Sequence, residues 1–460
     1  MLAIAIFLYF VCFVSLAWVN FRWAIGLFIV LFPAYIVRID LFKLPSTILE
    51  LSFFAILAVW IIKYFTKDWV ELKKIILERK VFFILFLLFF AASIGSIFVA
   101  GLESKTVLKT IYQSVGQWRA YFLEPMLFFI IVISRRKEIR ARDLVWFFSL
   151  SAVSVSVYSF IQEFTGWGIA TAEWTNVATR RVTAFFLSPN AVGLFLEISI
   201  VLMVAFIYYQ HHLSRERNLG GINPVGSGGV GRWLLSTESV PSSILMIFSL
   251  VIALLAVFFT KSEGTWVALI VALLIFFYLV GYKNIVTLTI IAGIIVFFSV
   301  PPVQHAILFE RQSGQNRLEL WSYSLKYLTA SPQHFFLGTG IGRFFSQIQK
   351  PFYDPKKMER LIYPHNIFLN FWTETGFLGM LSFLGLLFYL GILSVLVYSK
   401  EKVIGSGLLA GLVVLLIHGF VDVPYFKNDL AFIFWLFAAI IILYASQKEI
   451  KTAVKAKHYN

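Results

Sequence analysis

Thirteen long apolar runs follow one another along the chain and constrain its fold more than any other feature. About 20 apolar residues in a helix are enough to cross the hydrocarbon core of a membrane. The runs are continuously apolar rather than alternating, which indicates helices and not barrel strands. They cover 3–18, 21–37, 47–65, 81–99, 118–133, 143–163, 189–209, 243–259, 264–281, 285–300, 368–398, 403–420 and 429–445.

The first two runs are short and closely spaced, so 12 spans fit the pattern as well as 13. The composition agrees with a membrane protein, since 60% of the residues are hydrophobic and 14% are charged. A soluble domain has roughly 45–50% apolar and about 25% charged residues. We therefore predict an all-α, polytopic membrane helical bundle of 12–13 transmembrane helices, with residues 1–460 forming a single membrane domain.

The net charge of +15 comes from Lys and Arg residues concentrated on one side of the predicted spans. This distribution is typical of membrane topology and not of a nucleic-acid-binding surface. Twenty-two Lys and Arg residues fall on one side of the predicted spans. Nine fall in the short loops of the other side. The long segment 301–367 is not counted, because the excess of Lys and Arg on the cytoplasmic side holds only for short loops. We predict a multi-pass protein of the cytoplasmic (inner) membrane with a cytoplasmic C-terminus, in contact with anionic lipid and not with nucleic acid.

The residues between the spans include one long extracytoplasmic loop, 301–367, which has structural signals of its own. Leucines and a tryptophan recur at helical spacing over 317–327 and predict a helix there. Glycines over 338–342 predict a tight turn that packs closely on the helices. A second outside loop covers 164–188, and the Gly/Ser-rich stretch 218–232 reads as a flexible cytoplasmic connector. Chemistry is expected where the two outside loops meet the helix ends.

The most specific candidate site is Pro364-His365-Asn366, which opens the span at 368–398. Pro364 blocks a helix before it, and Asn366 is a good N-cap. A polar stripe follows on the helix as far as Glu374, about 12 Å along the axis. A carboxylate at that depth must face the bundle interior or water. His365 is therefore a catalytic candidate, with an interfacial histidine and a packing stripe as the alternative.

Arg180 and Arg181 precede another helix start at Ser188-Pro189-Asn190. A guanidinium beside the start of a helix is suited to bind a phosphate, because it can donate hydrogen bonds to two phosphate oxygens at once. An interfacial arginine that meets lipid headgroups explains the pair equally well.

His418 and Asp422 are four residues apart and share a helix face. The spacing would allow a metal ion, but a histidine–carboxylate hydrogen bond that orders the helix end is the favoured interpretation. The chain has no phosphate-binding P-loop and no Cys/His metal cluster in its sequence, and its single cysteine, Cys12, excludes an internal disulfide. We expect no metal and no cofactor.

Together these motifs resemble the O-antigen ligase and O-antigen polymerase superfamily over residues 110–445. His365-Asn366, nine residues and then Gly376-x-x-Gly379 look like its signature. The preceding motifs come in the matching order, as an Arg-rich segment before a Pro-Asn helix start, Thr260-x-Ser262-x-Gly264, Arg317-x-x-x-Trp321 and a G-x-G turn.

The resemblance implies a metal-independent glycosyltransferase that moves a glycan from a polyprenyl-diphosphate carrier to a hydroxyl acceptor. The acceptor is a lipid core, a growing glycan or a protein, and the resemblance does not choose among them. By the same resemblance, His365 is the general base, while Arg181 and Arg317 bind the donor diphosphate. Asn366, Glu374, Arg180, Asp422 and His418 are expected to support the site.

One position departs from the family pattern, because Glu263 stands where an arginine usually precedes the glycine of the Thr260–Gly264 turn. Lys261 is a candidate to restore the positive charge, as a third diphosphate ligand and as a partner for Glu263.

Two other classes of function stay open at this point. Acidic residues inside the spans, such as Glu124 and Glu197, suit a secondary transporter or a lipid or glycan flippase. Against this, we find no pair of Gly/Pro-interrupted spans at matching positions in two halves of the chain. An inactive or sensory descendant of the transferases is a further alternative, given Glu263.

Overall fold

The computed structural model of the protein describes residues 2–41, 44–102, 104–220, 243–355 and 359–457. Of the predicted connector 218–232, residues 218–220 complete a helix, and the rest lies outside the described residues. The first nine α-helices are α1 (Leu2–Val19), α2 (Phe21–Val30), α3 (Ile48–Val59), α4 (Phe65–Glu78), α5 (Lys80–Leu102), α6 (Val107–Trp118), α7 (Glu124–Ser134), α8 (Ala141–Thr165) and α9 (Pro189–Gly220).

The described helices continue with α10 (Ser243–Thr260), α11 (Glu263–Val280), α12 (Lys283–Ser299), α13 (Pro301–Ile307), α14 (Gln312–Leu328), α15 (Pro332–Leu337), α16 (Ile367–Tyr398), α17 (Lys402–Gly419) and α18 (Asn428–Lys457). Short 3₁₀ or π segments are Phe32–Ile36, Trp60–Tyr64, Arg119–Leu123, Ala172–Trp174, Phe345–Gln349 and Lys350–Phe352. Two strands, β1 (Arg38–Leu41) and β2 (Leu44–Thr47), form an antiparallel hairpin.

The predicted all-α membrane bundle is confirmed. Within the described residues, nine helices are long and apolar enough to cross a membrane, and a bent pair makes a tenth. Three apolar helices are shorter, namely Ile4–Val19, Phe21–Val30 and Ile244–Thr260. All thirteen predicted runs are helical, but the run at 21–37 is an α-helix only to Val30. Its second half is a 3₁₀ turn with Pro33 near its start, because proline has no N–H to continue an α-helix.

The last helix forms the centre of the bundle. In Asn428–Ser446, 94% of the apolar window is buried, the largest fraction among the spans. Phe432 packs against Phe28 and Phe128, and Trp435 packs against Phe129, with ring centroids 5.1–5.6 Å apart. Such aromatic contacts fix the rotation of α18, and they hold the segment that precedes it, residues 420–427, in place.

The long loop folds onto the bundle as the glycine pattern predicts. The predicted helix at 317–327 is present as α14, and α12 and the helical segment Pro301–Leu328 bend apart by 100°. A Cβ at Gly338 would overlap the carbonyl of Thr373, and a Cβ at Gly340 would overlap the backbone of Ala100. Only glycine permits this backbone-to-backbone contact, so the loop is seated on α5 and α16.

Candidate functional site

His365 lies immediately before α16, in a backbone conformation with φ +50°. The indole of Trp321 on α14 donates to the Pro364 carbonyl at 3.0 Å, so the loop helix holds this turn. Asn366 caps α16 as predicted, because its side-chain oxygen accepts from the N–H groups of Phe368 and Leu369. The residues on both sides of His365 are thereby held in place.

A buried carboxylate orients the His365 ring. Nδ1 of His365 lies 3.2 Å from Oδ1 of Asp422, whose side chain is 4% exposed. Asn190, at the start of α9, donates to the other oxygen of Asp422 at 3.3 Å. Nε2 of His365 has no hydrogen-bond partner among the described residues, and the side chain is 18% exposed. With Nδ1 facing the carboxylate, Nε2 is the nitrogen that can accept a proton from outside.

Arg181 belongs to the same network. Its Nε donates to the Thr260 carbonyl at 2.9 Å, and Nη2 donates to the side-chain oxygen of Asn190 at 3.3 Å. Asn190 therefore connects Arg181 to Asp422 and, through Asp422, to His365. Nη1 of Arg181 has no partner among the residues that the structure describes.

Arg317 contacts the site from α14, the helix within the long loop. Its Nε donates to the Val421 carbonyl at 2.8 Å and its Nη1 to the Ser313 carbonyl at 3.2 Å. Val421 is the neighbour of Asp422. Arg317, like Arg181, is therefore connected to the His365–Asp422 pair through one other residue. Within the described chain, Nη2 of Arg317 stays without a partner.

The charges around Asp422 keep it ionised. Burial by itself raises the pKa of the Asp422 carboxyl, but His365, His418 and Arg317 outweigh burial and hold that pKa below the usual aspartate value. Burial lowers the pKa of Arg317, and the Asp422 carboxylate opposes that shift. A guanidinium remains protonated under these conditions, so the network combines one carboxylate with two cations.

The predicted hydrogen bond between His418 and Asp422 is wrong. His418, fully buried, bonds Glu197 on α9 at 2.6 Å through Nδ1, while Asp422 bonds His365. The reason is helix packing, since α17 lies against α9 and brings Glu197 to His418. Only the backbone joins the two, with Asp422 N–H donating to the His418 carbonyl. In the described part of the chain, no three His, Cys, Asp or Glu residues converge as metal ligands.

The expected pairing of Lys261 with Glu263 is also wrong. Glu263 forms an ion pair with Arg311, which precedes α14, and the second Arg311 nitrogen donates to the Pro302 carbonyl at 2.9 Å. The family pattern has an arginine within this turn. Here an arginine of the long loop, Arg311, contacts the turn instead. Lys261 is exposed, with φ +50°, directly after the Thr260 carbonyl that binds Arg181.

Two predicted supporting residues lie outside this network. Arg180 is buried and donates to the backbone carbonyls of Glu163 and Thr175, which holds the loop 164–188 together. Glu374 is buried as predicted and accepts from the N–H of Gly342 at 3.1 Å, which ties the glycine turn to α16. Both act on loop position rather than at His365.

Asn190 and Tyr363 are residues that sequence reasoning did not place at the site. Asn190 joins Arg181 to Asp422, and the Pro-Asn helix start was its available signal. The ring of Tyr363 contacts the ring of His365 edge-on, with centroids 4.9 Å apart. Nothing in the local sequence marks Tyr363 apart from its nearness to the Pro-His-Asn motif.

A search of curated proteins finds no match to this chain. A family model described as O-antigen ligase matches residues 248–384, under a third of the chain. The matched segment carries Lys261, Arg317 and His365, and it is joined to Arg181 and Asp422 by the contacts above. This multi-span membrane protein gathers a histidine and two arginines at one end of its bundle, and over residues 248–384 it is similar to the O-antigen ligase family.

Proposed function

We propose that the protein transfers a glycan from a polyprenyl-diphosphate carrier to a hydroxyl acceptor, with inversion at the sugar carbon and without a metal ion. The observation that carries the proposal is the His365–Asp422 pair, with one nitrogen of His365 free and two arginines attached to the same network. The match of residues 248–384 to the O-antigen ligase family model supports ligase-type or polymerase-type glycosyl transfer in general, and these residues give it a mechanism.

In this mechanism, Nε2 of His365 takes the proton of the acceptor hydroxyl as its oxygen attacks the sugar carbon. The bond from that carbon to the diphosphate oxygen breaks, and the carrier leaves as the polyprenyl diphosphate. Asp422 fixes the ring with Nε2 outward and stabilises the imidazolium that forms. The proton then passes from His365 to water.

The free guanidinium nitrogens of Arg181 and Arg317 are suited to the diphosphate, because they offset the charge that develops on the leaving group. Lys261, beside Thr260, is our third candidate for this role. Arg311 keeps the charge of Glu263 away from the diphosphate by pairing with it. We assign Asn366 and Arg180 to holding the site in place, Glu374 to the loop, and His418 to the α9–α17 contact.

The test is glycan transfer by the full-length protein, reconstituted in lipid with the host's polyprenyl-diphosphate glycan. We expect His365→Ala to lower the rate by about 10²–10⁴-fold and Arg317→Ala by about 10²–10³-fold. Matched controls on the same loop are His305→Ala, whose partner is Glu310, and Arg360→Ala, which lies over the Phe345 ring. Full activity in both site variants would refute the mechanism.

The acceptor is identified by a second experiment, in which the chain is deleted from its host. The donor glycan is then expected to accumulate on its carrier without being transferred. Whether lipid core, polysaccharide or protein loses the glycan distinguishes ligation, polymerisation and protein glycosylation. A host in which no lipid-linked glycan accumulates would contradict the assigned donor.

A further inference from the structure

Asp429, at the start of α18, is a buried carboxylate that the mechanism does not use. It is fully buried, and neither oxygen has a hydrogen bond of normal geometry within the described residues. It lies beside the first backbone N–H groups of its own helix, and Lys427 is within electrostatic reach without forming an ion pair. A buried carboxylate whose oxygens have no hydrogen bond of normal geometry is costly, so its surroundings point to a further donor that the described residues do not supply.

Three half-buried tyrosines lie near one another, and two of them lie close to this carboxylate. Tyr35 and Tyr121 lie within electrostatic reach of Asp429, and Tyr35 lies within reach of Tyr363 as well. Among the described residues, no hydrogen bond is formed by the hydroxyl of any of the three. The phenol groups therefore offer donors and acceptors to the same space as Asp429.

Ring contacts connect these groups to each other and to His365. Phe186 stacks on Tyr35 at 6.2 Å, and the Lys427 ammonium lies 5.3 Å from the centre of the same Phe186 ring. Tyr363 contacts the His365 ring at 4.9 Å. We name Tyr35, Tyr121, Tyr363, Lys427 and Asp429 the tyrosine–aspartate cluster; it borders His365 through Tyr363.

The chemistry of the cluster differs from that of the arginines. An ionised carboxylate only accepts hydrogen bonds, so its complement is a donor such as a hydroxyl. Tyrosine rings add flat apolar faces with a polar tip. A diphosphate would be repelled by Asp429, whereas Arg181 and Arg317 attract it. A neutral, polyhydroxylated sugar ring matches the donors, acceptors and faces of the cluster.

We propose that the tyrosine–aspartate cluster is a sugar subsite that holds the acceptor glycan beside His365. The proposal rests on the proposed function, because the acceptor is the substrate whose hydroxyl must reach Nε2 of His365. A sugar that rests on Tyr363 lies next to that nitrogen, and its other hydroxyls donate to Asp429. The donor is held by its diphosphate at the arginines instead.

The test measures binding to the full-length protein in lipid nanodiscs. The probes are the oligosaccharide released from the host donor by mild acid and the deacylated glycolipid fraction of the host envelope. We expect saturable binding of at least one probe to the wild type. The Kd should rise about tenfold or more in Asp429→Asn, since a hydrogen bond to a charged group is lost. Tyr9→Phe, which removes a hydroxyl that bonds Ser52 and contacts no member of the cluster, should leave the Kd unchanged.

Transfer kinetics then separate acceptor from donor. Asp429→Asn should raise the acceptor KM and leave the donor KM unchanged, and a raised donor KM would overturn the acceptor assignment. An unchanged Kd in Asp429→Asn, or no saturable binding of either probe to the wild type, would also overturn it, the latter meaning that the cluster holds water.

His365→Ala distinguishes this proposal from the proposed function. It should abolish transfer and keep probe binding. If His365→Ala transfers normally while Asp429→Asn loses binding, the base is wrong and the subsite stands. If His365→Ala is inactive and Asp429→Asn binds normally, the subsite is wrong and the base stands.

Discussion

His365 has a left-handed backbone, which few residues other than glycine adopt. Ala184 and Lys261 share this conformation, with φ +45° and +50°. Each lies on a segment that leads to the site, and such backbone strain is concentrated at functional positions in proteins. Histidine tolerates the conformation better than most residues, and here it turns the ring toward Asp422.

Asp422 is the residue on which the network depends, because it contacts both His365 and Asn190. We expect Asp422→Asn to lower the transfer rate about a hundredfold or more, since an amide neither fixes the His365 tautomer nor stabilises the imidazolium. The measurement is the initial rate in lipid, with Glu78→Gln, at an ion pair remote from the site, as the control. Near-normal transfer by Asp422→Asn would remove Asp422 from the mechanism.

The same variant tests the depressed pKa of Asp422. A carboxyl whose folded pKa is below its unfolded value contributes stability above the unfolded pKa, about 3.9, and loses it as pH falls through the folded pKa. The melting temperature of the wild type should therefore exceed that of Asp422→Asn by an amount that does not shrink between pH 8 and pH 5. The difference should shrink only as the pH falls below about 4, and a difference that stays constant down to about pH 3 would mean that the pKa is not depressed.

At the scale of elements, α16 has a break that only glycine allows. Gly376 has φ +72° and ψ 179° inside the helix, and a Cβ there would overlap the carbonyl oxygen of Phe336 on α15. Trp372 of the same helix donates to the Phe335 carbonyl at 2.7 Å. The break thus gives α15, and with it the long loop, its position on α16.

Gly376→Ala should destabilise the protein by about 1–3 kcal/mol, from a forbidden φ and from the steric overlap. Gly391→Ala is the matched control in the same helix, because a Cβ there meets nothing within 4 Å. Melting temperature in detergent checks the pair, with a clear drop expected for Gly376→Ala alone. Equal melting temperatures would mean that the kink at Gly376 is not required.

The Glu263–Arg311 pair links two further elements, the turn before α11 and the start of α14. Both side chains are more than 40% exposed, so solvent screens the pair and its coupling should stay below about 1 kcal/mol. We expect Glu263→Arg to lower the transfer rate by up to about fivefold, because it places two cations together. Glu263→Arg with Arg311→Glu should restore the rate.

Activity of the double charge reversal no higher than that of Glu263→Arg would show that the pair does not position the turn. A single variant faster than wild type would instead mean that an arginine at 263 binds the diphosphate directly.

At the scale of the molecule, the site lies at one end of the bundle. A group of ion-paired arginines lies at other helix ends. Arg135 pairs with Asp68 at 2.9 Å, and Arg136 pairs with Glu78 at 2.8 Å. These belong to the side that the charge distribution predicts to be cytoplasmic. In the proposed function, the acceptor and the carrier therefore meet at His365 on the other side.

This orientation can be measured in intact cells with single cysteines in a Cys12→Ser background. Glu319→Cys on α14 should react with a membrane-impermeant maleimide from outside, whereas Lys137→Cys, exposed beyond α7, should react only after permeabilisation. The opposite labelling pattern would invert the predicted topology and remove the outward-facing site.

The sequence by itself determined the helices, the cap at Asn366, the helix within the long loop and the close packing of its glycines. These are local properties, since apolar length, a capping side chain and the absence of a Cβ act within a few residues. It also predicted His365, Arg181 and Arg317 as candidate site residues, because they lie in motifs that resemble those of the family.

Only the tertiary structure decided which groups pair. His365 meets Asp422 across 57 residues, and His418 meets Glu197 across 221, although His418 and Asp422 are close in sequence. Glu263 pairs with Arg311, 48 residues away, rather than with its neighbour Lys261. Helical spacing tells which face a side chain occupies, but the helix that packs on that face decides its partner. The tyrosine–aspartate cluster has the same origin, because its members come from four separate segments that α18 brings together.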